Sequence, residues 1–407
     1  MTRPRLQLDD PLTFLQWLET VRHRGRASFD DVDVAQVFAI AAVAALARRD
    51  GAQALVLEPG ASTGAGRFAH AIGIDEVVVG GPQREPSERN RTVTLTRVKG
   101  RGPWEAISDR IVRLLLPDGA TTAASDLFRY VLVELLRNVG QHSNDPLGGI
   151  VAAQRNDAGP YAGAPAVQIV VVDNGIGVFE ALRHMRPSIT TPAEALVRAL
   201  EPHVSGAFAE GASGSSENAG LGLFFISEMA KETDGRLFLA SRGATYYLDR
   251  SSAPDSQPRI TNGEAPDFPG TLVVFETAIG HVGSYEGIMA HIRDLAAART
   301  PKRITQRWFR FEEPPPEVFR VVVAVASEDT AAAKTFSVTV LEPRLLRRES
   351  VALDFRNLRA CTQSYLHALL HESVRLAWAR KVPLFILNAT PAVRAQLELV
   401  EAYSLGG

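Results

Sequence analysis

The sequence predicts an α+β protein in which a mixed β-sheet forms the centre and smaller α/β units flank it along the chain. Three observations favour this class. Residues 123–142 carry apolar side chains at helical spacing, residues 167–172 are an almost wholly apolar run typical of a buried strand, and residues 318–387 alternate short apolar runs with helical stretches. Strand and helix patterns that follow one another in this way predict helices packed on sheets.

Length and composition limit the classes of protein. The 407 residues suffice for two or three domains, each with its own core. A hydrophobic fraction of 45% and a charged fraction of 22% are ordinary for a globular protein in water. The net charge of −2 gives no electrostatic sign of a nucleic-acid or membrane partner, so neither is expected.

Cysteine usage and the N-terminus favour a cytoplasmic protein. The single cysteine, Cys361, excludes an internal disulfide and fits a reducing compartment. No apolar run reaches the ~18 residues of a membrane span. The first ten residues lack the apolar core of a signal peptide.

Changes of composition divide the chain into three expected domains, at residues 1–90, 91–311 and 317–407. The first is predicted to be a small α/β unit around a buried, Ala-rich helix at 34–49. Its glycine-rich loop at 60–67 fails the Walker spacing and is excluded as a phosphate loop. The polar stretch 80–91 and the proline-rich stretch 312–316 are the expected linkers.

The middle domain is expected to place two helices on one face of a mixed sheet. The predicted helices are 103–116 and 123–142. The predicted strands are an edge strand at 92–96, a pair at 150–154 and 167–172, and a hairpin of 236–240 and 244–248. Residues 251–269 are rich in Pro, Ser and Asp and are expected to be a disordered loop.

A polar stripe follows the second of these helices. Glu134, Asn138 and His142 are four residues apart and therefore share one helix face. An Asn oxygen can bind Mg²⁺, which prefers oxygen ligands and keeps waters and substrate phosphates beside them. A Glu can then orient or deprotonate an attacking water or hydroxyl. The stripe fits a catalytic site, and it equally fits an amphipathic helix with a solvated face.

An acidic, glycine-containing turn follows the apolar strand. Asp173 can accept a hydrogen bond from the exocyclic amine of adenine and would reject guanine, which presents a carbonyl there. Gly175 and Gly177 let the backbone approach a ligand in conformations closed to other residues. A dinucleotide-binding turn is excluded, because the third glycine would fall at Glu180. An ordinary Asn-Gly turn is the alternative.

A pair of glycines opens a further helix. Gly220, Leu221 and Gly222 open a helix that is predicted to run from Gly220 to about Lys231. Free N–H groups and the positive end of the helix dipole suit such a start to phosphate binding. Residues 205–218 before it are small, polar and glycine-rich, as expected of a mobile lid. A flexible loop followed by a helix is the alternative.

In this order the three blocks resemble the GHKL (Bergerat-fold) ATPases, the superfamily of gyrase, the MutL mismatch-repair proteins, histidine kinases and anti-sigma-factor kinases. The resemblance covers residues 103–277 and implies ATP and Mg²⁺ as cofactors. It implies that Glu134 is the general base and that Asn138 is the Mg²⁺ ligand. The residues that it assigns to nucleotide binding are Asn138, His142, Asp173, Gly175, Gly177, Gly220, Leu221, Gly222 and Thr271.

Residues 317–407 are similar to the STAS-like domains that accompany bacterial GHKL proteins, and residues 27–80 resemble them more faintly. The similarity rests on an apolar strand at 353–355 followed by Thr362, Ser364 and a long helix. In STAS domains a Ser or Thr at that helix start is phosphorylated by the partner kinase. The Asp-Ser-Ser-Gly signature is missing here, so a simple N-cap role for Thr362 is the favoured interpretation.

Together these patterns predict an Mg-ATP-binding regulatory ATPase or switch whose lid couples the nucleotide state to contacts of the STAS-like domain. A protein partner, or self-association through STAS-like surfaces, is expected. Two alternatives stay open: an anti-sigma-type Ser/Thr kinase that acts on a STAS domain, and a non-catalytic nucleotide-gated interaction protein. A sensor histidine kinase is disfavoured, because His70 lies in a short helical piece rather than in a long dimerising hairpin.

Overall fold

The computed structural model describes residues 3–49, 55–58, 60–79, 88–89, 91–99, 103–157, 161, 163–184, 186–202, 204, 220–263, 267–299, 307–323, 329–358 and 361–406. The chain forms two compact units, each made of two stretches. The first unit comprises Met1–Arg198 and Ile226–Gly283, and the second comprises Ala199–Phe225 and Ser284–Gly407. Helices and strands occur in both units, which confirms a mixed α/β protein.

The N-terminal segment of the first unit is mainly helical. Its four strands have two residues each and pair in two separate parallel ladders, β1 with β3 and β2 with β4. A turn of 3-10 helix lies at Phe29–Asp31. The elements are β1 Arg5–Leu6, α1 Pro11–Arg24, β2 Arg26–Ala27, β3 Val34–Ala35, α2 Val37–Ala47, β4 Val56–Leu57, α3 Gly64–Ala71 and α4 Ile74–Val79.

The glycine-rich loop of this segment wraps around a carboxylate of the chain itself. Asp30 Oδ1 accepts hydrogen bonds from the backbone N–H groups of Ser62, at 3.0 Å, and Thr63, at 3.1 Å. These bonds lower the pKa of Asp30 to about 2. The loop therefore uses these two N–H groups within the chain itself.

An eight-stranded antiparallel sheet forms the centre of the first unit. The strands are β5 Glu88–Arg89, β6 Thr92–Val98, β7 Gly149–Asn156, β8 Ala166–Asp173, β9 Arg236–Ser241, β10 Ala244–Asp249, β11 Arg259–Asn262 and β12 Thr271–Ala278. They lie in the order β11-β10-β9-β12-β8-β7-β6-β5. Every neighbouring pair is antiparallel, so the prediction of a mixed sheet is wrong. The prediction of a disordered loop at 251–269 is also wrong where β11 pairs with β10.

Helices cover both faces of this sheet. The remaining helices of the region are α5 Trp104–Leu115, α6 Thr122–His142, α7 Gly177–Arg183, α8 Pro192–Ala199 and α9 Gly222–Glu232. α5 and α6 pack on each other and on β6 and β7. A Cβ added to Gly149 would lie 2.9 Å from the Val139 side chain of α6, so the odd-numbered residues of β7 face this helix.

The opposite face carries the N-terminal segment. α2 packs on β7 and β8, and its apolar residues share one core with Ile150, Val170, Val172 and Leu272. Because neighbouring residues of a strand point to opposite faces, this core lies across the sheet from α6. The two helices predicted for one face, α5 and α6, do lie together on one face, whereas the cover of the opposite face by α2 was not predicted. Residues expected to form a separate domain at 1–90 share their core with the sheet.

The second unit contains a four-stranded parallel sheet. Its elements are α10 Tyr285–Arg299, β13 Phe309–Arg310, β14 Phe319–Val322, α11 Thr330–Phe336, α12 Glu342–Leu346, β15 Val351–Asp354, α13 Gln363–Arg380, β16 Leu384–Leu387 and α14 Pro391–Gly406, with a π-helical turn at Ser337–Leu341. The strands lie in the order β13-β16-β15-β14. The predicted alternation of strand and helix is confirmed. Residues 312–316, expected to link two domains, instead connect β13 and β14 of one sheet.

A polar seam joins α13 to α14 inside this unit. His367 Nδ1 lies 2.8 Å from the hydroxyl of Tyr403, and His371 Nδ1 lies 3.0 Å from the hydroxyl of Ser404. Both imidazoles are buried. Burial, with a smaller effect of Arg375, lowers the pKa of His371 to about 4.

Among the residues that the structure describes, no helix combines the length and the apolar character needed to cross a membrane.

Candidate functional site

The polar stripe predicted on α6 is present. The helix starts at the N-cap Thr121, whose side chain accepts a hydrogen bond from Ala124 N, and it runs for 21 residues to His142. Glu134 is 2% exposed, whereas Asn138 and His142 are half-buried. Their spacing puts all three on one face, as predicted.

Two amide side chains near the end of this stripe have unused oxygens. The side chain of Asn138 makes no hydrogen bond with another residue that the structure describes. The Oε1 atom of Gln141, one turn further on, is buried and has no hydrogen-bond partner in the described chain. Buried polar atoms are normally paired, so an unpaired oxygen beside Asn138 fits a site that takes a ligand, a water or an ion. Amide oxygens are suitable ligands for Mg²⁺.

β8 ends at a buried carboxylate. Asp173 is 5% exposed, and its Oδ1 atom accepts a hydrogen bond of 2.8 Å from Gly175 N. Burial raises the pKa of Asp173 to about 7, and the charge of Asp145 acts in the same direction. The N–H groups of Gly175 and Thr271 and the guanidinium of Arg242 partly offset this rise in pKa. Near neutral pH the carboxyl of Asp173 is therefore protonated in part of the molecules and ionised in the rest.

The turn at residues 173–177 is docked on the end of α6. Ile176 N donates a hydrogen bond of 2.8 Å to the carbonyl oxygen of Ser143, the C-cap residue of α6. A Cβ added to Gly175 would lie 1.9 Å from the same oxygen, so only glycine fits there. Gly177 has φ +76°, which also favours glycine. Asp173 is thereby held beside the helix that carries Glu134, Asn138 and His142.

Thr271 lies next to Asp173, on the neighbouring strand. It is the first residue of β12 and pairs in register with Asp173 of β8. Gly270 permits this approach, because a Cβ there would lie 2.0 Å from the carbonyl oxygen of Asp173. The two residues that the GHKL resemblance assigns to adenine are therefore neighbours in the sheet.

Two residues of the β9–β10 hairpin support the 173–177 turn and were missed from the sequence. Ser241 Oγ accepts a hydrogen bond from Val178 N at 3.0 Å and donates one to Gly270 O at 2.7 Å. Arg242, in the left-handed region at φ +52°, donates to the carbonyl oxygens of Gly175 and Ile176. The sequence predicted the hairpin. Which residues its turn would contact depends on the order of the strands in the sheet, which the sequence did not show.

The glycine pair lies at the start of α9, which begins at Gly222 rather than at Gly220, and the pair belongs to the second unit. Gly220 has φ +65°, and its carbonyl oxygen accepts a hydrogen bond of 3.1 Å from Val204 N. Leu221 is buried, and Gly222 is the first residue of α9. The other predicted nucleotide-binding residues belong to the first unit. The lid predicted at 205–218 lies outside the described residues.

The predicted phosphoacceptor positions are at the start of α13. Thr362 is the N-cap residue, is 1% exposed, and accepts a hydrogen bond of 3.2 Å from Tyr365 N. The N-cap interpretation is therefore confirmed. Ser364 lies in the first turn and is also buried.

Within the described part of the chain, no group of three or more His, Cys, Asp or Glu side chains is arranged to hold a metal ion. A cation that is held by few protein ligands and by the phosphates of a substrate needs no such group. Asn138 fits that kind of site.

No protein-family model, curated protein or solved structure matches this chain. The functional argument therefore depends on the residues and contacts described above.

Proposed function

We propose that the first unit binds Mg-ATP in the manner of a GHKL ATPase and that the protein is an ATP-dependent regulatory ATPase or switch. The observation that carries this proposal is the docking of the 173–177 turn on the end of α6. That contact joins a buried carboxylate suited to adenine to a helix face with a carboxylate and an unused amide oxygen.

Each residue has a distinct role in the proposal. Asp173 accepts a hydrogen bond from the adenine amine, with Thr271 beside it, and Asn138 holds Mg²⁺ through its amide oxygen. Bound Mg-ATP supplies the transferable phosphoryl group. Glu134 orients the attacking water or hydroxyl and accepts its proton at the carboxylate.

The second unit supports a smaller proposal. We infer that residues 317–407 of this unit are a STAS-like module that serves as a protein-binding surface. The order of β15, the N-cap Thr362, α13 and β16 supports this inference. The burial of Thr362 and its use as a cap favour hydrolysis over phosphorylation of that residue, because a kinase would have to uncover it first.

Calorimetric titration with Mg-ATP and Mg-GTP tests nucleotide binding. We expect ATP to bind and GTP not to bind. Asp173→Asn should weaken ATP binding roughly tenfold or more, because it removes a hydrogen bond to a charged group, worth about 1.5–3 kcal/mol. Asp255→Asn, at an exposed position of the same unit, is the control and should leave the affinity unchanged. Equal affinity for the two nucleotides would contradict the proposal.

The fate of the terminal phosphate separates the reaction types. With ATP labelled at that phosphate, we expect the label to appear as inorganic phosphate in water. Label that appears on protein would favour the kinase alternative. Tight binding without either product would favour a nucleotide-gated interaction protein.

A further inference from the structure

A buried arginine lies between two carboxylates beside the proposed base. Arg137 Nη1 is 2.9 Å from Glu134 Oε1, and Arg137 Nη2 is 3.7 Å from Glu105 Oε1. The side chains of Arg137, Glu134 and Glu105 are 2%, 3% and 12% exposed. Arg137 and Glu134 are one turn apart on α6, and Glu105 is in the first turn of α5.

The three charged groups lie in a place with little access to water, so each charge depends on an opposite charge nearby. A buried carboxylate without a partner is strongly destabilised and takes up a proton, and two neighbouring carboxylates raise this tendency. Arg137, at 2.9 Å, is therefore a cation that favours the ionised form of Glu134 where this carboxylate is buried.

A second ion pair between the same helices provides a comparison. Arg129 Nε lies 2.6 Å from Asp109 Oδ1, and these side chains are 26% and 39% exposed. Pairs that are open to water contribute little free energy. Arg129 links α6 to α5 at a more exposed place, so it shows what a simple link between the helices does.

We propose that Arg137 is a positioning residue for Glu134. It keeps the carboxylate charged and fixes its direction, and Glu105 determines how much of the guanidinium charge Glu134 receives. This inference rests on the proposed function, in which Glu134 accepts the proton of the attacking group.

Four variants of the full chain test the inference: Arg137→Met, Arg137→Lys, Glu105→Gln and the matched control Arg129→Met. Turnover is measured as phosphate released or transferred, as a function of pH, and the Kd for Mg-ATP is measured by calorimetry. Arg137→Met should lower kcat about 100-fold or more, as the loss of a general base does, with an unchanged Kd. Its turnover should recover as the pH is raised, because alkali removes the proton that Glu134 takes up.

The other variants give graded results. Arg137→Lys keeps the charge and should retain more turnover than Arg137→Met at every pH. Glu105→Gln leaves the whole guanidinium to Glu134 and should lower kcat severalfold at an unchanged Kd, because a fully paired carboxylate is a weaker base. Arg129→Met should change neither kcat nor Kd.

Unfolding in urea gives a readout without nucleotide. Arg137→Met should destabilise the protein less when Glu134 is already Gln, because the substitution then removes the arginine from one charged partner, Glu105, rather than from two. Additive effects of the two substitutions would overturn the inference.

Several results decide against Arg137 as a positioning residue. Wild-type kcat in Arg137→Met would overturn the inference, and so would a parallel loss of kcat and affinity in both Arg137→Met and Arg129→Met. If Arg137→Met does not fold, wild-type pH profiles in both Arg137→Lys and Glu105→Gln would overturn it.

If the parent protein binds Mg-ATP without turnover, this inference fails while nucleotide binding stands. If it binds no ATP, the proposed function fails.

Discussion

Asp173 combines two properties that are rarely needed together in one carboxyl group. In the proposed site its burial lets it recognise adenine without competition from water, and the same burial raises its pKa to about 7. At neutral pH the carboxyl of Asp173 is therefore protonated in a large fraction of the molecules. The proton sits on the oxygens that should accept a hydrogen bond from the adenine amine. Selectivity for the base and sensitivity to pH have the same physical cause.

The affinity for ATP should consequently depend on pH. In the proposed site ATP binds the ionised carboxylate, so the Kd should rise by up to about tenfold for each pH unit below about 7 and level off above it. Calorimetric titrations across this range measure the slope. Asp173→Asn cannot titrate and should give a flatter profile. An equal slope in both proteins would assign the pH dependence to another group.

Glu134 and Asn138 should separate catalysis from binding. Glu134→Ala should leave Mg-ATP binding nearly intact and lower turnover by roughly two or more orders of magnitude. Asn138→Ala should weaken the Mg²⁺-dependent part of binding, because it removes the amide oxygen that holds the ion. Binding and single-turnover measurements with and without Mg²⁺ test the division. The same defect in both variants would show that the roles are not divided in this way.

At the scale of elements, the site depends on the contact between the 173–177 turn and the end of α6. That contact has no room for a side chain, because Gly175 faces the carbonyl oxygen of Ser143 directly. A backbone oxygen cannot rotate away as a flexible side chain can. The turn and the helix must therefore separate if any larger residue replaces this glycine.

Gly175→Ala should both destabilise the first unit and abolish ATP binding. Urea unfolding should show a loss of several kcal/mol, at the upper end for single substitutions. Gly280→Ala is the matched control, because a Cβ at Gly280 meets no atom within 4 Å. It should keep the stability and the affinity of the parent. An Ala at 175 that binds ATP normally would show that the turn is not docked as described.

The individual helices and strands show how much of the fold could be predicted from the sequence. α5, α6, β7, β8 and the β9–β10 hairpin were predicted because their apolar periodicity and turn residues are local signals. Strand order, the antiparallel direction of every pair and the cover provided by α2 depend on contacts between distant residues. Arg242 illustrates the limit, since its place in a turn was visible and its hydrogen bonds to Gly175 and Ile176 were not.

At the scale of the whole molecule, the two units carry buried groups with opposite responses to acid. Asp173, in the first unit, has a folded-state pKa of about 7 and an unfolded value near 3.8, so folding binds a proton between these pH values. His371, in the second unit, has a folded-state pKa of about 4 and an unfolded value near 6.5, so folding releases one. Lowering the pH through these ranges therefore stabilises the folded state through Asp173 and destabilises it through His371.

Lowering the pH from about 6.5 towards 4 should decrease the urea midpoint of the second unit and not that of the first. The effect should be on the order of 1 kcal/mol per pH unit. Trp17 and Trp104 report on the first unit, and Trp308 and Trp378 report on the second, so variants that keep one pair resolve the two transitions by fluorescence. His371→Asn should reduce the loss in the second unit. Parallel shifts of both transitions would contradict this prediction.

The two stretches of one unit alternate along the chain with those of the other. This order affects how the chain can fold while it is being synthesised. β8 leaves the ribosome long before β12, its partner on one side, and residues 199–225 leave long before 284–407. Both units are therefore incomplete at the same time while the chain grows, and β8 has an unpaired edge that another nascent chain could join. No single proteolytic cut releases both units whole, so fragments designed at one boundary would lose part of at least one of them.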